Sequence, residues 1–265
     1  MIRAWLDMSP LGIFLSLIGL YFGFTLGLAL IVFCSPFKKH VMSLNGVVAP
    51  FFGSVAILFA LLTGFLANDV SERNRRAHRA VETEAGEIHN LHTLSVASVS
   101  DMQSIRKAIK TYVASVVTDE WRLLDKGQTS PVTATAYDEL LHEVSVPSIG
   151  KASGTAVQSA MLGSARRIGT TRYERIAIAS DHTNDLKWLV VILLGLFTQM
   201  AIAVVHLERP RAFAASMMVF SSAVIVTLGI IALQEYPFNG AFRVSPAPIA
   251  QLLSLPETVT PRPLN

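Results

Sequence analysis

An apolar run over residues 41–68 passes without a break into the charged stretch Asp69-Val-Ser-Glu-Arg-Asn-Arg-Arg76, and this constrains the fold more than any other feature. About 20 apolar residues at ~1.5 Å rise cross a hydrocarbon core of ~30 Å. A helix that crosses the bilayer and then continues into water can line a pore and carry its gate. Three more uncharged apolar runs, residues 11–34, 188–205 and 212–234, are also long enough to span. The run 188–205 is the shortest. Trp188 beside Lys187 and His206 beyond Val205 suit its two interfaces, where an amphipathic ring and a cationic tip are stable. The pattern predicts an all-α integral membrane protein with four transmembrane helices.

Composition points the same way. A chain of 265 residues that is 51% hydrophobic and 15% charged, with a mean hydropathy of +0.47, is too apolar for an ordinary soluble domain. Residues 1–10 lack a basic segment with a small-residue cleavage site, so the first run is expected to be a retained helix. Cys34 is the single cysteine, which excludes an intrachain disulfide and a cysteine-based metal cage. Despite a pI near 9.1, the segment 69–187 holds 15 acids and 15 bases, and no nucleic-acid reading motif occurs, so no nucleic-acid partner is expected.

Four crossings put the N-terminus, the segment 69–187 and the C-terminal tail on one side of the membrane. The short loops at 36–40 and 206–211 fall on the other. Lys38, Lys39, Arg209 and Arg211 are set against Arg3, Arg73, Arg75, Arg76, Arg79 and Lys187, and this balance favours a cytoplasmic large domain. The predicted organisation is transmembrane helices one and two in 1–68, a helical cytosolic domain in 69–187, helices three and four in 188–234, and an extended proline-rich tail in 235–265.

Within the large domain, apolar residues from Val81 to Val116 recur at three- and four-residue steps, with no proline from 69 to 117 and Gly86 the only glycine. This predicts one long amphipathic helix. Breaks are expected at 127–131 and 146–150, with a shorter helix over 134–144 between them. Residues 155–187 then return to the membrane, with a packing stripe of Ala160, Gly163, Ile168 and Ile176 or Ile178. Six prolines after Leu233 predict a tail that lies extended over other elements or is disordered at its end.

Little in the chain suggests chemistry. His89 and His92 share a helical face near Glu82, Glu84 and Glu87, but no His-Glu-x-x-His and no second glutamate–histidine motif accompanies them. A solvated or packed face accounts for them. No Gly-x-Ser-x-Gly, glycine-rich phosphate loop or paired-carboxylate spacing occurs, so neither an enzyme nor a cofactor is expected.

Two patterns in the membrane segments stand out. Gly19, Gly23 and Gly27 form a stripe that permits close helix approach, either within one subunit or between subunits. Ile57, Leu61, Phe65 and Asp69 fall at four-residue steps in the second run, a row that suits core packing as well as a path for ions.

Ala49-Pro-Phe51, then Gly64-Phe65, Asn68, Arg73 and Ala77 in that order and spacing, resemble the pore helix of bestrophin channels. Glu235-Tyr-Pro-Phe-Asn-Gly240 followed by Val244-Ser-Pro-Ala-Pro resembles the bestrophin segment in which a Pro-Phe-Gly element leads into the tail. Over nearly its full length the chain is similar to a bacterial bestrophin-like family. That resemblance implies a homopentamer in a bacterial inner membrane, with cytoplasmic termini. Its second helix would line an apolar neck that conducts small monovalent ions.

By the same resemblance the neck residues map onto Ile57, Leu61 and Phe65, the row found from spacing. Such a ring blocks ions by dewetting. Asp69, with Glu72 and Arg73, is expected at the inner mouth, where its carboxylate points toward cations. The chain departs from calcium-gated bestrophins, because Ala241-Phe-Arg-Val-Ser-Pro-Ala-Pro carries no carboxylate and calcium needs charged oxygen ligands. One extra residue between Ala-Pro-Phe and Gly-Phe shifts the outer register of the pore helix. A membrane-anchored interaction protein and an accessory subunit of an envelope complex are the alternative classes, and neither requires a central path.

Overall fold

The computed structural model describes residues 2–34, 49–98, 101–240 and 242–257, and the regular structure among them is entirely helical. In chain order the helices are α1 (Ile2–Leu6), α2 (Pro10–Ala29), α3 (Ala49–Ala97), α4 (Gln103–Ser115), α5 (Pro131–Ser145), α6 (Pro147–Ser153), α7 (Thr155–Ser180), α8 (Asp185–Val205), α9 (Pro210–Leu233) and α10 (Ala247–Ala250). A wider π-type turn prolongs α2 through Leu30–Cys34, and another, Val116–Glu120, leads from α4 into a last turn, Trp121–Leu124. The predicted loop 36–40, the start of the second run at 41–48 and the tail end at 258–265 lie outside the described residues.

Among the described residues, four helices are long and apolar enough to cross a membrane: Pro10–Cys34, Phe52–Ala97, Asp185–Val205 and Pro210–Leu233. The chain divides into two compact units. The first comprises Met1–Glu72, His182–Glu235 and Gly240–Phe242; the second comprises Arg73–Asp181, Tyr236–Asn239 and Arg243–Asn265.

In the first unit local chemistry sets where the spans begin. Ser9 accepts from the Gly12 amide ahead of Pro10, and Asn184 accepts from the Leu186 amide, each covering a helix-end donor left without an intrahelical partner. Pro210 opens α9 at a position where its missing N–H costs nothing. Helices α2, α8 and α9 pack on one another. A Cβ added at Gly195 would strike the Tyr21 ring, and one added at Gly229 would strike Phe14. These two glycines are where aromatic rings of α2 meet α8 and α9. The Tyr21 hydroxyl donates to the Ile192 carbonyl at 3.2 Å. The Gln199 amide reaches Tyr21 O, Thr25 Oγ1 and Ser221 Oγ at 3.1, 3.0 and 2.8 Å, so one polar cluster ties three spans together.

The second unit is built on α4, which packs on α5, and on α5, which packs on α7, with the latter part of α3 closing the core. Ile88, Leu91, Ile105, Ile109, Leu140 and Ile168 lie at its centre. Buried among them are Glu84, Glu120, Arg172 and Arg175.

Four predictions for this unit need correction. The long amphipathic helix ends at Ala97 and restarts at Gln103, rather than running on to 117. Asp101 accepts from the Gln103 amide at 3.0 Å, and Arg106 Nη1 donates to the Ser95 carbonyl at 3.1 Å, so side chains serve both ends of the break. The break expected over 146–150 is confined to Val146, because Pro147 opens α6; the chain breaks again at Gly154, whose φ of +89° suits glycine. The buried stripe of α7 contains Met161, Ala165, Ile168, Arg172 and Arg175, while Ala160 and Gly163 are exposed. Finally, the tail is not simply extended, since α10 and a 3-10 turn, Gln251–Ser254, bury Ile249 against the core.

Candidate functional site

Helix α3 is unbroken for 49 residues, about 74 Å at 1.5 Å per residue. One side of it is buried in each unit: Thr63, Leu66 and Val70 in the first, and Arg73, Ala77, Val81, Glu84, Ile88 and Leu91 in the second. Ile57, Leu61 and Phe65 lie in one outward row and are 67%, 50% and 58% exposed. From Phe65 as far as Thr83 the further exposed positions are Asn68, Arg75, Arg76, His78, Arg79, Glu82 and Thr83, with Glu72 half-buried between them. The outward row is therefore apolar up to Phe65 and polar after it. An apolar groove of about 470 Å³, lined by Leu62, Phe65, Leu66, Leu186, Val190 and Val191, flanks the row.

Asp69 does not continue this row. Its carboxylate pairs with the Lys187 ammonium near the start of α8, and both side chains are partly exposed. Arg73 is turned inward, 5% exposed, with Nε 3.8 Å from Asp181 Oδ2. Of the three residues expected at the inner mouth, Asp69 is held in an ion pair, Glu72 is half-buried and engaged, and Arg73 points into its own unit.

Among the described residues, a Cβ built on Gly19, Gly23 or Gly27 meets no heavy atom within 4 Å. His89 and His92 diverge: His92 is buried with Nε2 3.0 Å from the Pro256 carbonyl, and His89 is exposed. Among the described residues no group of three potential ligands is placed to hold a metal.

Apolar periodicity does not reveal the charged network at the heart of the second unit. Arg175 donates to Glu84 at 2.8 and 3.2 Å and to Glu120 at 2.9 Å, while Arg172 donates to Glu120 at 2.5 Å. The Tyr112 hydroxyl donates to Glu84 Oε1 at 2.7 Å, and the Arg175 guanidinium lies over Trp121 at 5.3 Å. Two carboxylates and two guanidiniums make the cluster electroneutral, which burial demands. Burial, and then Glu84, push the Tyr112 pKa up. Burial alone would lower that of Arg175, but Glu84, Tyr112 and Glu120 outweigh it and leave the pKa raised. The detectable signal was positional, because Glu84, Arg172 and Arg175 stand in the core register of their helices.

In the first unit Glu235 is buried where α9 ends. It accepts from the Thr183 amide at 2.8 Å, the Thr183 hydroxyl at 3.1 Å and Trp188 Nε1 at 3.3 Å. In the second unit Phe238 of the Pro-Phe-Asn-Gly element packs edge-on against Trp121 at 5.8 Å.

The chain matches the bestrophin-like domain over residues 19–249. Two crystallised variants of a bacterial bestrophin homolog from Klebsiella pneumoniae share the fold with TM-scores of 0.68, at 13% and 14% identity. Each match covers 89% of this chain and 96% of that one. A crystal structure described as a membrane protein is similar at 12% identity and a TM-score of 0.68, covering 90% of this chain and 96% of that one. No curated protein matches the sequence.

Proposed function

The chain belongs to the bestrophin-like family, whose members are in general ion channels, and on that premise we propose that it forms a homo-oligomeric channel for small monovalent ions. Five copies surround an axial path in a bacterial inner membrane, with both termini cytoplasmic. Ile57, Leu61 and Phe65 of each copy form the neck. Asp69 and Glu72 stand near its inner mouth, and the Gly19, Gly23 and Gly27 stripe meets a neighbouring copy.

The observation that carries this reading is the outward row of α3. Three large apolar side chains on one face are half or more exposed, while Thr63, Leu66 and Val70 on the other side are buried. In a ring, such a row makes a constriction with no polar group to replace an ion's hydration shell, and ions are stopped by dewetting until the rings move apart. A glycine stripe with open space over it suits the close backbone approach of a second helix in lipid.

Purified protein reconstituted in liposomes tests the proposal together with its native mass in detergent. A five-chain mass with passage of monovalent ions is the expected result. A mass limited to monomer or dimer removes the ring.

A further inference from the structure

Resting on the channel reading above, we propose that Arg76 sets the sign of the ions admitted beyond the neck, and that it favours anions. From Phe65 the outward row of α3 steps through Asn68 and Glu72 to Arg76 and Arg79, at intervals of three, four, four and three residues on one uninterrupted helix. Asn68 is neutral. The nearby carboxylate of Asp69 is paired with Lys187, and that of Glu72 is half-buried and engaged.

Arg76 is different. It is exposed, and among the described residues its side chain forms no ion pair or hydrogen bond. It is therefore the first uncompensated formal charge that an ion meets past Phe65 along this row. Arg75 and Arg79 are exposed beside it, and the next acid on the face is Glu82. Arg73, on the buried side with Asp181, adds nothing to the row.

Repeated around an axis, one guanidinium per copy makes a ring of fixed positive charge. The Debye length in physiological salt is about 8 Å, so charges on the wall of a narrow path are weakly screened at its centre. Small anions are enriched there and cations depleted. Guanidinium suits the task because it stays charged at every physiological pH and is weakly hydrated, so it draws an anion without binding it tightly.

The test is the reversal potential of the reconstituted wild-type protein, and of Arg76→Gln, Arg76→Glu and Arg76→Lys, under a potassium chloride gradient. Each variant is first matched to wild type by elution volume. Wild type should show a chloride-to-potassium permeability ratio above 1. Arg76→Gln should lower that ratio on the order of threefold, Arg76→Glu should carry it below 1, and Arg76→Lys should retain the wild-type value. A conducting wild type with a ratio below 1, or one whose ratio Arg76→Gln and Arg76→Glu leave unmoved, overturns the assignment and leaves the channel reading standing. Absence of current from wild type overturns the channel reading itself.

Discussion

Asp69 and Lys187 form an ion pair that joins the second membrane span to the start of the third. A carboxylate one helical turn past Phe65 would face an axial path if steps of four residues stayed aligned. They do not, because each overshoots a full turn of α3 by about 40°. After two such steps, from Ile57 to Leu61 to Phe65, the outward position passes to Asn68, and Asp69 turns toward Lys187.

Because the Lys187 and Asp69 side chains are 57% and 38% exposed, their pairing contributes little to stability. A double-mutant cycle with Asp69→Asn and Lys187→Met, read by thermal unfolding in detergent, should give a coupling below about 1 kcal/mol. A coupling of several kcal/mol would mean that the pair is shielded from solvent in the assembly.

Two sets of glycines should respond oppositely to substitution. Gly195→Leu drives a side chain into the Tyr21 ring and should destabilise the folded chain by about 1–3 kcal/mol. Gly23→Leu meets open space among the described residues, so it should leave the monomer's melting temperature near wild type and weaken assembly. Melting curves and native mass on the same samples separate these effects. A monomer destabilised by Gly23→Leu would place the stripe inside the subunit.

Arg175→Met leaves Glu84 and Glu120 buried with one cation between them, and should cost about 3–5 kcal/mol. Tyr112→Phe removes a single hydrogen bond to Glu84 and should cost about 1–3 kcal/mol. Chemical denaturation of the two variants checks the order, and equal losses would contradict it.

Tyr112 also predicts a pH dependence. Its folded pKa is raised by burial and by Glu84, so the neutral phenol is the form that folding favours. That contribution is complete below the ordinary tyrosine value of about 10 and is lost as pH rises above it. Wild-type melting temperature should fall faster above pH ~10 than that of Tyr112→Phe, and parallel curves would remove Tyr112 as the cause.

The membrane half of the fold was legible because lipid makes an unusually simple demand, a run of about 20 apolar residues per crossing. All four spans satisfy it. The continuity of α3 past Asn68 was legible from the lack of any proline from 69 to 117. The interruption between the helix ending at Ala97 and the one starting at Gln103 was hidden, because the apolar period continues across it while the Asp101 and Arg106 side chains bond groups two and eleven residues away at its two ends. On α7, two buried arginines interrupt the apolar pattern at Arg172 and Arg175, so an apolar stripe misses its core face. Glycine spacing marks where helices can approach closely, but not which helix arrives. Gly195 and Gly229 meet Tyr21 and Phe14, while the evenly spaced Gly19, Gly23 and Gly27 meet nothing among the described residues.

The most direct test of the neck is ion flux through liposomes carrying the triple variant Ile57→Ala, Leu61→Ala and Phe65→Ala, purified at the same native mass as wild type. Alanine widens and wets the constriction, so flux should rise above wild type. Unchanged flux in a correctly assembled variant would contradict the assignment of this row as the neck.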